Sequence, residues 1–395
     1  MLIASGIKQA MENSSWIRKM FEDGARLKAE IGADKVFDFS LGNPNLQPPA
    51  KLNEVLKDLI TEDAPGAHGY MPNAGFADVR AAVARKVSKD HGAAVTAEHV
   101  VMSVGAGGAI NSVLRAILER GDEILVPRPF FVEYVFYADN HCATLKSAPT
   151  TEDFDLDVDA LEREVTAKTR AVIINSPNNP TGRVYTAAAL ASLGKMLEVK
   201  SREFGRPIYL IADEPYRAVA YDGIEVPPVF PAYAASIVCY SFSKDLSLAG
   251  ERIGYVAVNP GLEGASLVAA AITLTTRILG FVNAPAMMQR AVARLLDEKV
   301  DIGYYKANRD ILHKGLTDAG YVCRLPEGAF YLFVKSPVAD DVAFCRELLA
   351  ENILAVPGTG FFGPGHIRLA YCCSRETAER SLPGFVRAIE RVKGK

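Results

Sequence analysis

Lys244 closes the run Ser241-Phe242-Ser243-Lys244 directly after an apolar stretch, and Arg252 follows eight residues later, ahead of Ile253-Gly254-Tyr255. An amine can form an imine with a carbonyl, and a guanidinium can hold a phosphate, so the pair suits a ligand that carries both groups. A lysine attacks carbonyls only when its surroundings pull its pKa below about 10.4, and crowding by cations does that. Arg252 and the imine itself would supply such a field. The plain alternative is a surface lysine after a strand, which a bare Ser-x-x-Lys describes equally well.

Other segments would have to bring partners to that lysine. Residues 99 to 104 read as a strand running into Gly105-Ala106-Gly107-Gly108, and Ile110, Val113, Leu114, Ile117 and Leu118 then recur at helical spacing. A glycine-rich turn that opens a helix offers unpaired N–H groups and a positive dipole end to an anion. It lacks the spacing of a dinucleotide fingerprint and the lysine of a P-loop, so a tight turn with no ligand remains open.

Asn175-Ser176-Pro177-Asn178-Asn179-Pro180-Thr181-Gly182 follows the apolar run Ala171 to Ile174. Dense turn chemistry at a strand's C-terminal end marks the edge where open α/β sheets bind ligands. Asn179 is the better candidate there, because its amide can donate to a phenolate oxygen. The apolar run Ile208 to Ala212 ends in Asp213-Glu214-Pro215-Tyr216. A carboxylate at that point could pair with a protonated ring nitrogen, and the tyrosine could donate to an oxygen on the same ring. Asp213 as a helix N-cap is the alternative.

This ordered set resembles the class I/II aminotransferases, the fold-type I family of pyridoxal phosphate-dependent enzymes, and the matching motifs span Gly42 to Arg368. The resemblance implies that Lys244 is the Schiff-base lysine and general base, and that Arg252 binds the cofactor phosphate. It implies that Asp213 pairs with the pyridinium nitrogen while Tyr216 and Asn179 reach the ring's phenolate oxygen. Ala106 and Gly107 are similar to the backbone phosphate cup, Ser241 adds a hydroxyl to it, and Phe131 stands where the family stacks an aromatic ring on the cofactor. Tyr70 is similar to a tyrosine that reaches the neighbouring subunit's phosphate, which implies a homodimer with its active site at the subunit interface. Arg368 resembles the fork that grips the substrate α-carboxylate, and Gly42 a glycine whose backbone lies beside the substrate.

The expected activity is transfer of an L-amino acid's amino group to a 2-oxo acid by a ping-pong route through pyridoxamine phosphate. A β-lyase of the same fold would use the same lysine and aspartate, since the reaction is chosen by which Cα bond stands perpendicular to the ring. A DNA-binding regulator on this fold is disfavoured, because no extra N-terminal segment is long enough for a winged helix. For the substrate, some bacterial aspartate aminotransferases carry a lysine in the cup where this sequence has Gly107. Arg277 lies near the region from which other members extend a side-chain-binding arginine across the dimer. Phe130, Tyr70 and Ile17 could instead line an apolar pocket for alanine, branched-chain or aromatic donors.

The chain's 395 residues exceed one ordinary hydrophobic core. Apolar strands near 99, 122, 170, 208, 236 and 253 alternate with helical segments, which predicts a mostly parallel doubly wound α/β sheet from roughly 50 to 285. The strand at 253 to 258 follows its predecessor too closely for a crossover helix and should run antiparallel. A long helical stretch is expected from Ala286, then a strand over Ala329 to Val334. The resemblance implies the type I pyridoxal phosphate-dependent transferase fold: a large cofactor domain (50–285) with a mostly parallel seven-stranded sheet between helices, a smaller α/β domain (286–395), and an N-terminal segment (1–49) packed with it.

A net charge of −3 with no basic cluster leaves no footprint for nucleic acid or a membrane surface. The six cysteines lack C-x-x-C spacing and mostly lie in apolar runs, which predicts reduced core thiols, and no histidine pair has metal-ligand spacing. With no long apolar N-terminal run, the expected location is the cytoplasm.

Overall fold

The computed structural model describes residues 2–13, 15–62 and 65–394; the side chains of residues 10 and 12–21, Ile17 among them, lie outside the described residues. Seven strands form the main sheet in the order Val100–Ser103, Gly254–Val258, Ser236–Ser241, Tyr209–Asp213, Thr169–Asn175, Glu123–Arg128 and Thr144–Pro149. Gly254–Val258 is antiparallel to both of its neighbours, and every other pairing is parallel. Tyr209–Asp213 and Ser236–Ser241 are buried at every residue, as strands covered by helices on both faces must be. In register, Asn175 lies opposite Asp213 and Asp213 opposite Cys239, so the polar residues that end these strands emerge along one edge.

A second sheet of four antiparallel strands runs in the order Val356–Pro357, His366–Ala370, Tyr331–Lys335, Val322–Cys323. Its core gathers residues from 300 to 389 together with Phe39, Tyr216, Val219 and Tyr221. The first core extends from Leu52 to Leu295. Phe37–Asp38 pairs in parallel with Ile353–Leu354 as a separate two-stranded sheet, and the Ala370 N–H donates to the Phe39 main-chain oxygen, which ties the residues before 40 to the second sheet. Tyr216 thus begins just past the end of a main-sheet strand and inserts into the other core.

Four details depart from the sequence-based expectations. Thr144–Pro149 is a strand the apolar pattern did not reveal; as the outermost strand it needs no continuous apolar run and tolerates a proline. The helical stretch from Ala286 breaks after Ala293 and restarts at Ile302, where the Asp301 side chain accepts the N–H of Gly303 and caps the new helix. The strand expected from Ala329 begins at Tyr331, because Ala329 has a left-handed backbone and bonds Val219. Cys142 is exposed rather than a core thiol, while Cys239, Cys345 and Cys372 are buried. Among the described residues, no helix is long and apolar enough to cross a membrane, and no cluster suits a metal ion.

Candidate active site

At the C-terminal edge of the main sheet lies a cavity of about 590 Å³ bounded by both cores. Gly42, Ala106, Gly107, Phe131, Asn179, Asp213, Tyr216, Ser241, Lys244, Arg252 and Arg368 all line it. These residues come from segments more than three hundred positions apart.

Asp213 ends its strand as a buried carboxylate and starts no helix. Tyr134 donates its hydroxyl proton to Oδ2 over 2.5 Å, and Asn175 Nδ2 donates to the Asp213 main-chain oxygen over 2.8 Å. Burial pushes the carboxyl up to about 7, the Tyr134 bond opposes this, and neighbouring Glu214 adds to it. Although burial works against its charge, Arg217 and His91 hold Glu214 below the usual carboxylate range. Asp213 has no such cation, and its Oδ1 is buried without a partner. A buried polar atom left open is the site for an absent donor, and a protonated ring nitrogen is such a donor.

At the other end of the cavity, the helix Gly105–Ile117 starts without a side-chain cap, so its first-turn N–H groups remain available. Ser241 and Ser243 hydroxyls lie 2.6 Å apart. Arg252 adopts a left-handed backbone and bonds the main-chain oxygen of Ala249 at 2.9 Å. Free N–H groups, two hydroxyls and a guanidinium together make an anion site that fits a phosphate.

Lys244 Nζ lines the same cavity and donates to the Gly42 main-chain oxygen over 2.8 Å. Burial pushes its pKa down to about 8; Cys372 opposes this, and Arg368 and Arg252 add to it. Cationic crowding was the expected cause, but desolvation is the larger one. Arg368 donates through Nη1 to Asn179 Oδ1 (3.1 Å) and through Nη2 to the Ser40 main-chain oxygen (2.6 Å). Its guanidinium carbon lies 4.7 and 4.4 Å from the ring centroids of Tyr331 and Phe361, and Nε is buried and unpaired. Held against two aromatic rings and partly unsatisfied, it is poised for a planar carboxylate.

Three of the expected residues do not line this cavity: Tyr70 and Arg277, both expected to act across a dimer, and Phe130. Tyr70 is 94% exposed and lines a separate cleft with Met71, Phe281 and Val282. Arg277 is exposed in the last turn of the helix Ala265–Ile278 and does not line the cavity. Phe130 is no pocket residue: it is buried in the first core and stacked on Phe362 at 4.6 Å. Sequence reasoning missed Tyr134, Ser40, Tyr331 and Glu133. Only Tyr134 and Glu133 carried a signal, as polar residues just after the stacking position of Phe131. Glu133 lines the cavity, and burial raises its carboxyl above the usual range.

The family model for aminotransferase class I and II matches residues 34–383. An aminotransferase structure from Eubacterium rectale is 41% identical, with a TM-score of 0.95 over 99% of both chains. The aspartate aminotransferase of Thermus thermophilus solved with maleate is 27% identical, with a TM-score of 0.85 over 98% of this chain and 100% of that one. The aspartate/prephenate aminotransferase of Thermus thermophilus is 31% identical over 358 residues, covering 89% of this chain and 90% of the relative. An aromatic-amino-acid aminotransferase of Thermococcus litoralis is 28% identical over 397 residues and 97% of each chain. With the cavity's donor set fitting the cofactor, the chain belongs to the class I and II aminotransferases, pyridoxal phosphate-dependent enzymes that move amino groups from amino acids to 2-oxo acids.

Proposed function

We propose that this aminotransferase works through Lys244, Asp213 and Arg368, and that it prefers amino donors with uncharged side chains. The observation that carries the site assignment is the meeting of those three side chains in one cavity with an anion site at its far end. Pyridoxal phosphate, when bound, supplies a conjugated ring that takes up the electrons of the broken Cα–H bond. Lys244 Nζ is the base that removes the Cα proton and returns it to the cofactor side. Asp213 keeps a proton on the ring nitrogen, and its empty Oδ1 is the acceptor. Tyr216 and Asn179 bind the ring's phenolate oxygen, while Phe131 covers a ring face. Ala106, Gly107, Ser241 and Arg252 hold the phosphate. Arg368 fixes the α-carboxylate and so sets which Cα bond faces the ring, with Gly42 alongside.

The donor preference rests on charge. Among the described residues, the lysines and arginines lining the cavity are Lys244, Arg252 and Arg368, and each has a task. Within one chain none remains for a distal carboxylate, Gly107 places no side chain in the cup, and Glu133 adds a carboxyl group. Relatives named for aspartate and for aromatic amino acids both occur. Visible spectra of the loaded protein, recorded with single L-amino acids and no oxo acid, test the proposal. Aromatic, branched-chain or alanine donors should discharge the cofactor band faster than aspartate or glutamate; the reverse order would refute the preference. Release of pyruvate and ammonia would mark a β-lyase.

We also propose a cytoplasmic homodimer with domains at 50–285 and 286–395 and the segment 1–49 joined to the latter. Two separate cores support a division into two domains, although Met288, Ala291, Val292 and Leu295 join the first core and move its boundary past 286, and six free cysteines fit a reducing compartment. Exposed Leu267, Leu274 and Ile278 on one helix support a second copy covering that face. Exposed Tyr70 would then reach the partner's phosphate site.

A further inference from the structure

We propose that Tyr331 is a positioning residue for the cofactor's ring oxygen, acting through Tyr216, and that position 42 is glycine to leave room for its hydroxyl. The inference rests on the reading of Tyr216 given above. Tyr331 opens the strand Tyr331–Lys335 in the second sheet, opposite Ala370. Its hydroxyl lies 2.8 Å from that of Tyr216, and both side chains are buried. The Tyr331 ring also supports the Arg368 guanidinium. A Cβ at Gly42 would lie 1.9 Å from the Tyr331 hydroxyl oxygen and 2.7 Å from the ring carbon that carries it, so no other residue fits there without moving Tyr331. The carbonyl of this same Gly42 accepts the Lys244 amine. One hydroxyl from the second core therefore touches the segment that holds the lysine and the phenol expected to hold the cofactor.

The direction of these bonds follows from counting protons. Burial raises both phenols above their ordinary pKa, so each keeps its single proton at neutral pH. When Tyr216 gives its proton to an anionic ring oxygen, only Tyr331 can donate in the Tyr331–Tyr216 bond. A donor that itself accepts a hydrogen bond donates more strongly. Tyr331 would thus help to draw negative charge onto the ring oxygen and lower the proton affinity of the nitrogen that Lys244 contributes when joined to the bound cofactor, whose protonation would set the visible band.

The test is a pH titration of that band in proteins loaded with pyridoxal phosphate: wild type, Tyr331→Phe, Tyr216→Phe and the double variant. Tyr331→Phe keeps the ring beneath Arg368, so KM for the amino donor should stay within about threefold while the midpoint of the band rises by about 0.5–1 pH unit. In the Tyr216→Phe background the same substitution should add almost nothing, because its effect is relayed by the missing hydroxyl. Gly42→Ala should displace the Tyr331 hydroxyl and move the midpoint in the same direction, which provides an independent route should Tyr331→Phe fold poorly. An unmoved midpoint in either loaded single variant, or an equal shift with and without the Tyr216 hydroxyl, overturns the proposal. A wild-type protein that acquires no visible band overturns the cofactor reading as well, which separates the two failures.

Discussion

Tyr134 and Asp213, 79 residues apart, meet in a buried hydrogen bond of 2.5 Å that occupies one carboxylate oxygen and leaves the other open. The bond stabilises the ionised form of a carboxylate that burial would otherwise keep protonated near neutral pH. Tyr134→Phe should raise the Asp213 pKa further and lower kcat/KM by about 10- to 100-fold at pH 7, the scale of a hydrogen bond to a charged group. The deficit should shrink toward pH 9, where Asp213 ionises unaided. A pH-rate profile parallel to that of the wild type would remove Tyr134 from this role.

Lys244→Ala should still take up pyridoxal phosphate, because the phosphate site and Asp213 are untouched. Transamination should fall by about 10³-fold or more. Equilibrium dialysis with the cofactor and a single-turnover assay measure the two effects separately; near-native turnover would end the assignment.

The pH dependence of cofactor capture follows from the same lysine. Burial disfavours its ammonium form, so the free amine should accumulate as pH passes about 8 rather than at the ordinary lysine value of 10.5. Stopped-flow rates of covalent capture by the cofactor-free protein should rise through that region and level off above it. A rise centred above pH 10 would mean that the amine is solvated.

Arg368→Ala should weaken capture of every α-carboxylate donor by about 30- to 1,000-fold, since truncation leaves a charge unpaired in a desolvated site. Arg368→Lys should recover only part of this, because an ammonium cannot make the fork or the planar contacts with the Tyr331 and Phe361 rings. An unchanged apparent affinity in steady-state kinetics would place the carboxylate elsewhere.

Mixing subunits tests Tyr70. If it serves the partner's site, Tyr70→Ala and Lys244→Ala proteins should both be impaired alone, and together regain about a quarter of the wild-type sites, because half of randomly re-formed dimers are mixed and each holds one intact site. Additive activities without recovery would confine each site to one subunit.

Much of this site was legible before any fold was known. Lys244, Asp213, Arg252 and Asn179 each stand at the end of an apolar run or in a dense turn, and those runs are the central strands. A strand buried on both faces writes itself as a short unbroken apolar segment, and the polar residue that ends it is conspicuous. The edge strand Thr144–Pro149 has no such requirement and stayed hidden.

What the amino-acid sequence determined by itself was the set of reactive groups and the strand ends that present them, because periodicity and turn chemistry act over a few neighbouring residues. Only the tertiary structure decided which groups touch: Tyr134 on Asp213, Tyr331 on Tyr216 across 115 positions, and Arg368 on Asn179 across 189. It also decided that desolvation, more than cationic neighbours, lowers the proton affinity of Lys244. Those outcomes depend on strand register and on how two cores close over one cavity, and neither leaves a local pattern in the chain.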